Sequence, residues 1–194
     1  MNDSSLESYG GLAEGVAEIV LSERQIQERV AEIGLSISRD YAGLNPLLVG
    51  VLKGVLFFMA DLLRHISIPV EVDFMAVTSY SPESRDKGLV RMVKDLEIPI
   101  QNRHVLFVED VIDTGLTLNY LLRNLRARQP ASLEVCALFN KEKKRLIGLP
   151  VKYQGFDLPD LFMVGYGLDY GEKYRNLPFL GLLKAEVFQQ HISD

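Results

Sequence analysis

The segment Val105-Leu106-Phe107-Val108-Glu109-Asp110-Val111-Ile112-Asp113-Thr114-Gly115-Leu116-Thr117 constrains this chain more than any other. The apolar residues from His104 to Val108 predict a strand whose C-terminal end carries two carboxylates, Glu109 and Asp110. A short turn follows, and Thr114 to Arg126 predicts a helix. A strand apolar on both faces that feeds a helix belongs in a mainly parallel sheet flanked by helices. Ligands of such sheets sit at the carboxyl ends of the strands. A helix N-terminus behind a glycine turn offers unpaired N–H groups and the positive end of the helix dipole, which suits a phosphate. Thr114 and Thr117 add hydroxyl donors. Glu109 and Asp110 are suited to accept hydrogen bonds from sugar hydroxyls, directly or through a metal ion. Taken alone, Asp113-Thr114-Gly115 serves equally as a helix cap. The same tripeptide marks aspartic proteases, but their site lies in a β fold that this chain lacks.

The rest of the pattern agrees with an α/β fold. Ser22 and Gln25 have capping-box spacing, and Ile26, Val30, Ile33, Ile37 and Tyr41 recur along one helical face before Asn45-Pro46. Leu47 to Leu52 reads as a buried strand broken by Lys53-Gly54, and Val55 to Arg64 as a helix. Residues 70–78, Leu89–Val93, Leu133–Phe139 and Leu161–Val164 read as further strands. The polar segment 79–88, with Pro82 and Gly88, is a long loop. Residues 1–15, rich in Ser, Gly, Asn and Asp, are expected to form a loose arm. With no internal repeat and no dividing linker, residues 1–194 are expected to form one domain.

Composition narrows the functions. A net charge of −5 without a long basic run counts against nucleic-acid binding, yet leaves room for a small anionic ligand. The single cysteine, Cys136, lies in an apolar run and reads as a core residue; it has no partner for an internal disulfide, and no Cys/His cluster has metal-site spacing. No signal peptide is visible. The most apolar segment, Leu47–Leu63, is interrupted by Lys53, Gly54 and Asp61 and is too short to span a bilayer. A reducing cytoplasm is the expected location. His65, His104 and His191 fall in no motif.

VLFVEDVIDTGLT resembles the 5-phosphoribosyl-1-pyrophosphate motif of type I phosphoribosyltransferases. The likeness continues in four ordered segments from about Val49 to about Arg175, and the rest resembles the hypoxanthine-guanine branch. It implies a mainly parallel central sheet flanked by helices, with a small hood subdomain from the chain ends, to which residues 140–194 contribute the purine-binding part. It also implies purine salvage. The 5-phosphoribosyl group would pass from 5-phospho-α-D-ribose 1-diphosphate (PRPP) to hypoxanthine or guanine, giving IMP or GMP plus diphosphate, with Mg2+ as cofactor.

Residue by residue, the resemblance implies that Asp113, Thr114, Gly115, Leu116 and Thr117 surround the 5′-phosphate, largely through backbone amides. Many relatives have Lys at the Leu116 position. Glu109 and Asp110 would face the ribose hydroxyls and the metal, and Asp113 would act as general base at the purine imidazole nitrogen. Lys53 and Gly54 match the pyrophosphate loop, where the family often has a cis peptide before the Lys and one branch has a second Gly in place of Val55. Ser79-Tyr80 would begin a lid that shields the reacting centre from water. Lys141 would donate to the purine O6, in an Asn140-Lys141-Glu142 context where Asp-Lys-Pro is common. Phe162 would stack on the base, and backbone groups near Met163 and Asp169 would read its edge. Asp169 would bind a second magnesium ion, and Arg175 and Arg145 would meet the pyrophosphate. Lys143 and Lys144 read as a solvated basic turn. Relatives form dimers or tetramers, so a homo-oligomer is implied. Two alternatives share the fold: a xanthine-preferring enzyme, and a non-catalytic nucleotide-sensing regulator that binds RNA. The pI of about 5.3 counts against the latter.

Overall fold

The computed structural model describes residues 6–79 and 90–189. A 3-10 helix (Leu6–Ala13) precedes β1 (Val16–Leu21), α1 (Glu23–Asp40), β2 (Leu47–Leu52) and α2 (Leu56–His65). Then come β3 (Glu71–Ser79), β4 (Val90–Lys94), β5 (His104–Ile112), α3 (Leu116–Arg126) and β6 (Ser132–Asn140). A 3-10 turn (Glu142–Lys144) leads to β7 (Tyr153–Asp157), β8 (Met163–Val164), β9 (Leu180–Leu183) and α4 (Ala185–Gln189).

The main sheet has six strands in the order β4-β3-β2-β5-β6-β7. Every pairing in it is parallel except β3 with β4. Its two faces explain the unbroken apolar runs. On one face Leu48, Leu106, Val108, Cys136 and Leu138 pack under Ile26, Val30 and Ile33 of α1 and Phe58, Met59 and Leu62 of α2. On the other, Leu47, Val49, Val105, Phe107, Val135 and Ala137 pack against Leu118, Leu121, Leu122 and Leu125 of α3. Because successive side chains serve opposite layers, a two-sided strand cannot alternate with polar residues. Each fully buried Val, Leu, Ile, Phe or Met among them contributes about 1.5–3 kcal/mol. The start of α1 is held as its spacing predicts: the Gln25 N–H donates to Ser22 Oγ (3.4 Å), and the Ser22 N–H donates to Gln25 Oε1 (2.9 Å).

A second, three-stranded antiparallel sheet in the order β1-β9-β8 joins an N-terminal strand to the C-terminal part of the chain. Its own core contains Ala13, Val16, Val164, Leu177, Phe179 and Leu183.

Two expectations change here. The loose arm expected over residues 1–15 does not describe residues 6–13. These form the 3-10 helix, with Ala13 buried and Tyr9 edge-on to Phe179 at a centroid distance of 4.8 Å. The Ser- and Gly-rich composition hid the few apolar residues that anchor it. Within residues 140–194, β7 forms the edge strand of the main sheet beside β6. Finally, the strand expected at 161–164 shortens to Met163–Val164, while β5 runs four residues beyond Val108 to Ile112. Glu109 and Asp110 thus belong to the strand itself. No helix among the described residues is long and apolar enough to cross a membrane.

Candidate active site

A cavity of about 260 Å³ opens at the carboxyl ends of β2 and β5, lined by Leu52, Gly54 and every residue from Glu109 to Gly115, together with Thr117. Its floor is the connection from β5 to α3. Gly115 caps α3 in the left-handed region (φ 79°), a conformation that an L side chain would strain. The start of α3 leaves its first backbone N–H groups without intrahelical partners; the Leu116 N–H donates to Thr114 Oγ1 (3.4 Å), and Gly115 and Thr117 line the cavity. The Leu116 side chain stands in solvent, 51% exposed, so what that position offers a ligand comes from its main chain.

Two carboxylates sit at the centre. Glu109 Oε2 is buried without a hydrogen-bond partner. Burial, and secondarily the neighbouring Asp110, push the Glu109 carboxyl well above its ordinary range. Burial likewise raises Asp110 to about 6, although the Val111 N–H (2.8 Å) and the nearby Arg175 pull it down. Withheld from water with little positive charge, the pair is suited to a cation or to sugar hydroxyls.

Two glycines bring the loop after β2 against Asp110 and the segment after β8 against that loop. The Leu52–Lys53 peptide bond is cis, as the resemblance implies. A Cβ on Gly54 would collide with the Asp110 carboxylate, and a Cβ on Gly167 (φ 98°) would collide with the Gly54 carbonyl. Only hydrogen at both positions lets the loop after β2 lie between β5 and the segment after β8. The latter is anchored from behind by Tyr166, whose hydroxyl donates to Asp61 Oδ2 of α2 (2.7 Å), an oxygen that also accepts from Gln27 of α1 (2.6 Å).

At the rim, Lys53, Asp169 and Arg175 come together around a residue that sequence reasoning missed. Glu172 Oε2 accepts from Lys53 Nζ (3.0 Å) and lies 3.4 Å from Arg175 Nη2, which also meets Asp169 Oδ1 at 2.9 Å. The hydrogen bond from Lys53 lowers the Glu172 carboxyl. The only available signal was a Glu placed three residues from both Asp169 and Arg175 in a Gly-rich loop.

The third group lies beyond the end of β6. Lys141 donates to the Leu161 carbonyl (2.8 Å), and burial lowers this lysine. Phe162, 43% exposed, stands edge-on to Tyr170 with centroids 5.5 Å apart. Met163 is buried in β8 and pairs with Leu182. Asn140 donates to Asp157 Oδ1 (2.7 Å) and Gln154 Oε1 (3.2 Å), so an Asp at this position would place one carboxylate against another. Lys144, expected to be a solvated cation, instead bridges Asp113 Oδ2 (3.1 Å) and Asp160 Oδ1 (3.4 Å). Asp113 Oδ1 is left buried and unpartnered.

Arg145 Nη1 donates to the Leu149 carbonyl (3.0 Å), its Nε and Nη2 are buried without a partner, and Leu149 lies beside Gly115 at the turn from β5 to α3. Ser79 ends β3, and the lid expected to start at Ser79-Tyr80 lies, from Tyr80 to Gly88, outside the described residues. No three His, Cys, Asp or Glu side chains converge as a metal cage among the described residues. Glu109, Asp110 and Asp169 therefore do not form one protein-only ligand set. A larger cavity of about 780 Å³, between the 3-10 helix and residues 170–176, contains none of the site residues expected from the sequence.

The family model for the phosphoribosyl transferase domain matches residues 17–171. The chain is 46% identical over 179 residues to the hypoxanthine-guanine phosphoribosyltransferase of Streptococcus agalactiae, covering 92% of this chain and 99% of that protein. It is 47% identical over 181 residues to the enzyme of that name from Mycobacterium avium, covering 90% and 89%. Among solved structures, a hypoxanthine phosphoribosyltransferase from Staphylococcus aureus superimposes with a TM-score of 0.86 at 40% identity, covering 96% of this chain and 99% of that one.

Proposed function

The chain belongs to the phosphoribosyl transferase domain family, and from that premise we propose the part each site residue takes in its reaction. The protein is a phosphoribosyltransferase of purine salvage, carrying the 5-phosphoribosyl group from PRPP to hypoxanthine or guanine and releasing diphosphate.

In this reading the 5′-phosphate sits on the backbone amides of residues 113–117, with the Thr114 and Thr117 hydroxyls beside it. Glu109 and Asp110 accept from the ribose 2′- and 3′-hydroxyls. Lys53, Gly54 and Arg175 receive the departing diphosphate, and Arg145 flanks the phosphate turn. Phe162 stacks on the purine, Lys141 exchanges the Leu161 carbonyl for the purine O6, and the main chain from Met163 to Asp169 reads the far edge. Asp113 Oδ1 takes the proton from the imidazole nitrogen, which makes the ring a better nucleophile as the C1′–oxygen bond breaks. The observation that carries this reading is the pair of buried, unpartnered carboxylate oxygens, Glu109 Oε2 and Asp113 Oδ1, beside the glycine-capped start of α3.

Magnesium fits the site. The donors are all carboxylate oxygens, two of them on carboxyls that burial holds above their ordinary range, and Asp169 stands across the rim. Such an ion keeps several waters and leans on substrate oxygens, in keeping with the lack of a closed cage among the described residues. Glu109 and Asp110 would hold one such ion and Asp169 a second on the diphosphate side, and these would neutralise charge on the diphosphate. A homo-oligomer in the cytoplasm completes the reading.

A spectrophotometric assay with PRPP, Mg2+ and each of hypoxanthine, guanine, xanthine and adenine tests the proposal. Rapid nucleotide formation with hypoxanthine or guanine, abolished by a chelator, is expected. Turnover confined to xanthine would change the substrate assignment, and turnover with none would overturn the catalytic roles.

A further inference from the structure

The turn that follows β6 runs beside the connection from β5 to α3. The Lys141 N–H donates to the Ile112 carbonyl (2.9 Å), and the Leu146 N–H donates to the Thr114 carbonyl (3.0 Å). Between these two tethers, Lys144 reaches back with its ammonium 3.1 Å from Asp113 Oδ2 and 3.4 Å from Asp160 Oδ1. Asp160 lies two residues before Phe162. One lysine therefore links the turn that carries Asp113 to the segment that carries the stacking ring. The link has a direction: Oδ2 of Asp113 is engaged, while Oδ1 is buried and has no partner.

We propose that Lys144 is a positioning residue for the general base, holding one oxygen of Asp113 so that the other faces the purine. The inference rests on the reading of Asp113 as that base. A free carboxylate rotates about its last torsion with little preference. A proton acceptor must instead lie within hydrogen-bond reach, along the line of the N–H that it receives. Pinning one oxygen removes the rotation, and bridging to Asp160 sets the distance between acceptor and stacked base. A half-exposed ion pair adds little stability, so the effect belongs in the rate.

The test compares Lys144→Ala, Lys144→Arg, Asp113→Asn and the double variant Asp113→Asn/Lys144→Ala by steady-state kinetics with hypoxanthine and PRPP, beside thermal unfolding. Lys144→Ala is expected to lower kcat about tenfold, with the KM for PRPP and the melting temperature unchanged. Lys144→Arg is expected to restore most of the loss. In the Asp113→Asn background, Lys144→Ala is expected to have no further effect, because the group it positions has gone. Wild-type kcat in Lys144→Ala overturns the proposal. So does a raised KM for PRPP at unchanged kcat, which would make Lys144 a phosphate ligand, and so does an equal loss in both backgrounds, which would make its role structural. Near-normal turnover in Asp113→Asn would instead remove the base assignment itself, and the proposal with it.

Discussion

The site has two sides, built in different ways. On the proposed reading, the phosphate side is one continuous stretch, residues 113–117, folded by a glycine cap and the start of α3. The diphosphate side is assembled from parts far apart in the chain: Lys53 after β2, and Asp169, Glu172 and Arg175 after β8. Two glycines that admit no Cβ hold those parts against Asp110. The first side has its geometry from local backbone conformation and so tolerates changes in side chains. The second depends on close approaches, backbone to backbone at Gly167 and backbone to the Asp110 carboxylate at Gly54, where a single added carbon has little room.

The strongest way to break the contrast is Gly54→Ala. The added Cβ runs into the Asp110 carboxylate, so the loop or the strand end must shift. A displacement near 1 Å at reacting groups costs roughly a hundredfold in rate. We expect kcat/KM to fall by about that factor, and a near-normal value would show that the loop yields without consequence. Next in size is Asp169→Asn. It keeps the shape but removes charge beside Arg175, and is expected to reduce turnover roughly thirtyfold, about 2 kcal/mol of transition-state stabilisation. Its thermal unfolding should stay close to the wild type, because Asn keeps the shape and can still accept from the Glu172 N–H; retained activity would take Asp169 out of the site. The smallest effect belongs to the local side. Leu116→Lys restores the residue that many relatives have, yet the side chain points to solvent. We expect the KM for PRPP to change by less than about threefold, since an exposed charge contributes about 1 kcal/mol or less. A larger drop would mean that the phosphate side needs a side-chain cation after all.

Legibility followed the same division. The β5-turn-α3 unit, the capping box of α1 and the two-faced strands were readable because each is specified over a few consecutive residues. β1 and β9 were missed: β1 shows no clean alternation of buried and exposed positions, and its partner lies at the other end of the chain. β7 carries Gly155 in a five-residue strand, too short for a clear pattern. Lys144 looked like one more cation in a basic turn until Asp113 and Asp160 were seen on either side of it.

The sequence by itself determined the α/β class, the carboxylate pair towards the end of β5 and the glycine turn that opens α3, since period, cap and turn chemistry act through neighbouring residues. Only the tertiary structure decided that Glu172 faces Lys53 across 119 residues, that Gly167 touches Gly54, and that Lys144 holds Asp113. Ion pairs and close backbone approaches depend on distances that no local pattern encodes, and the packing of the whole sheet and its hood sets those distances.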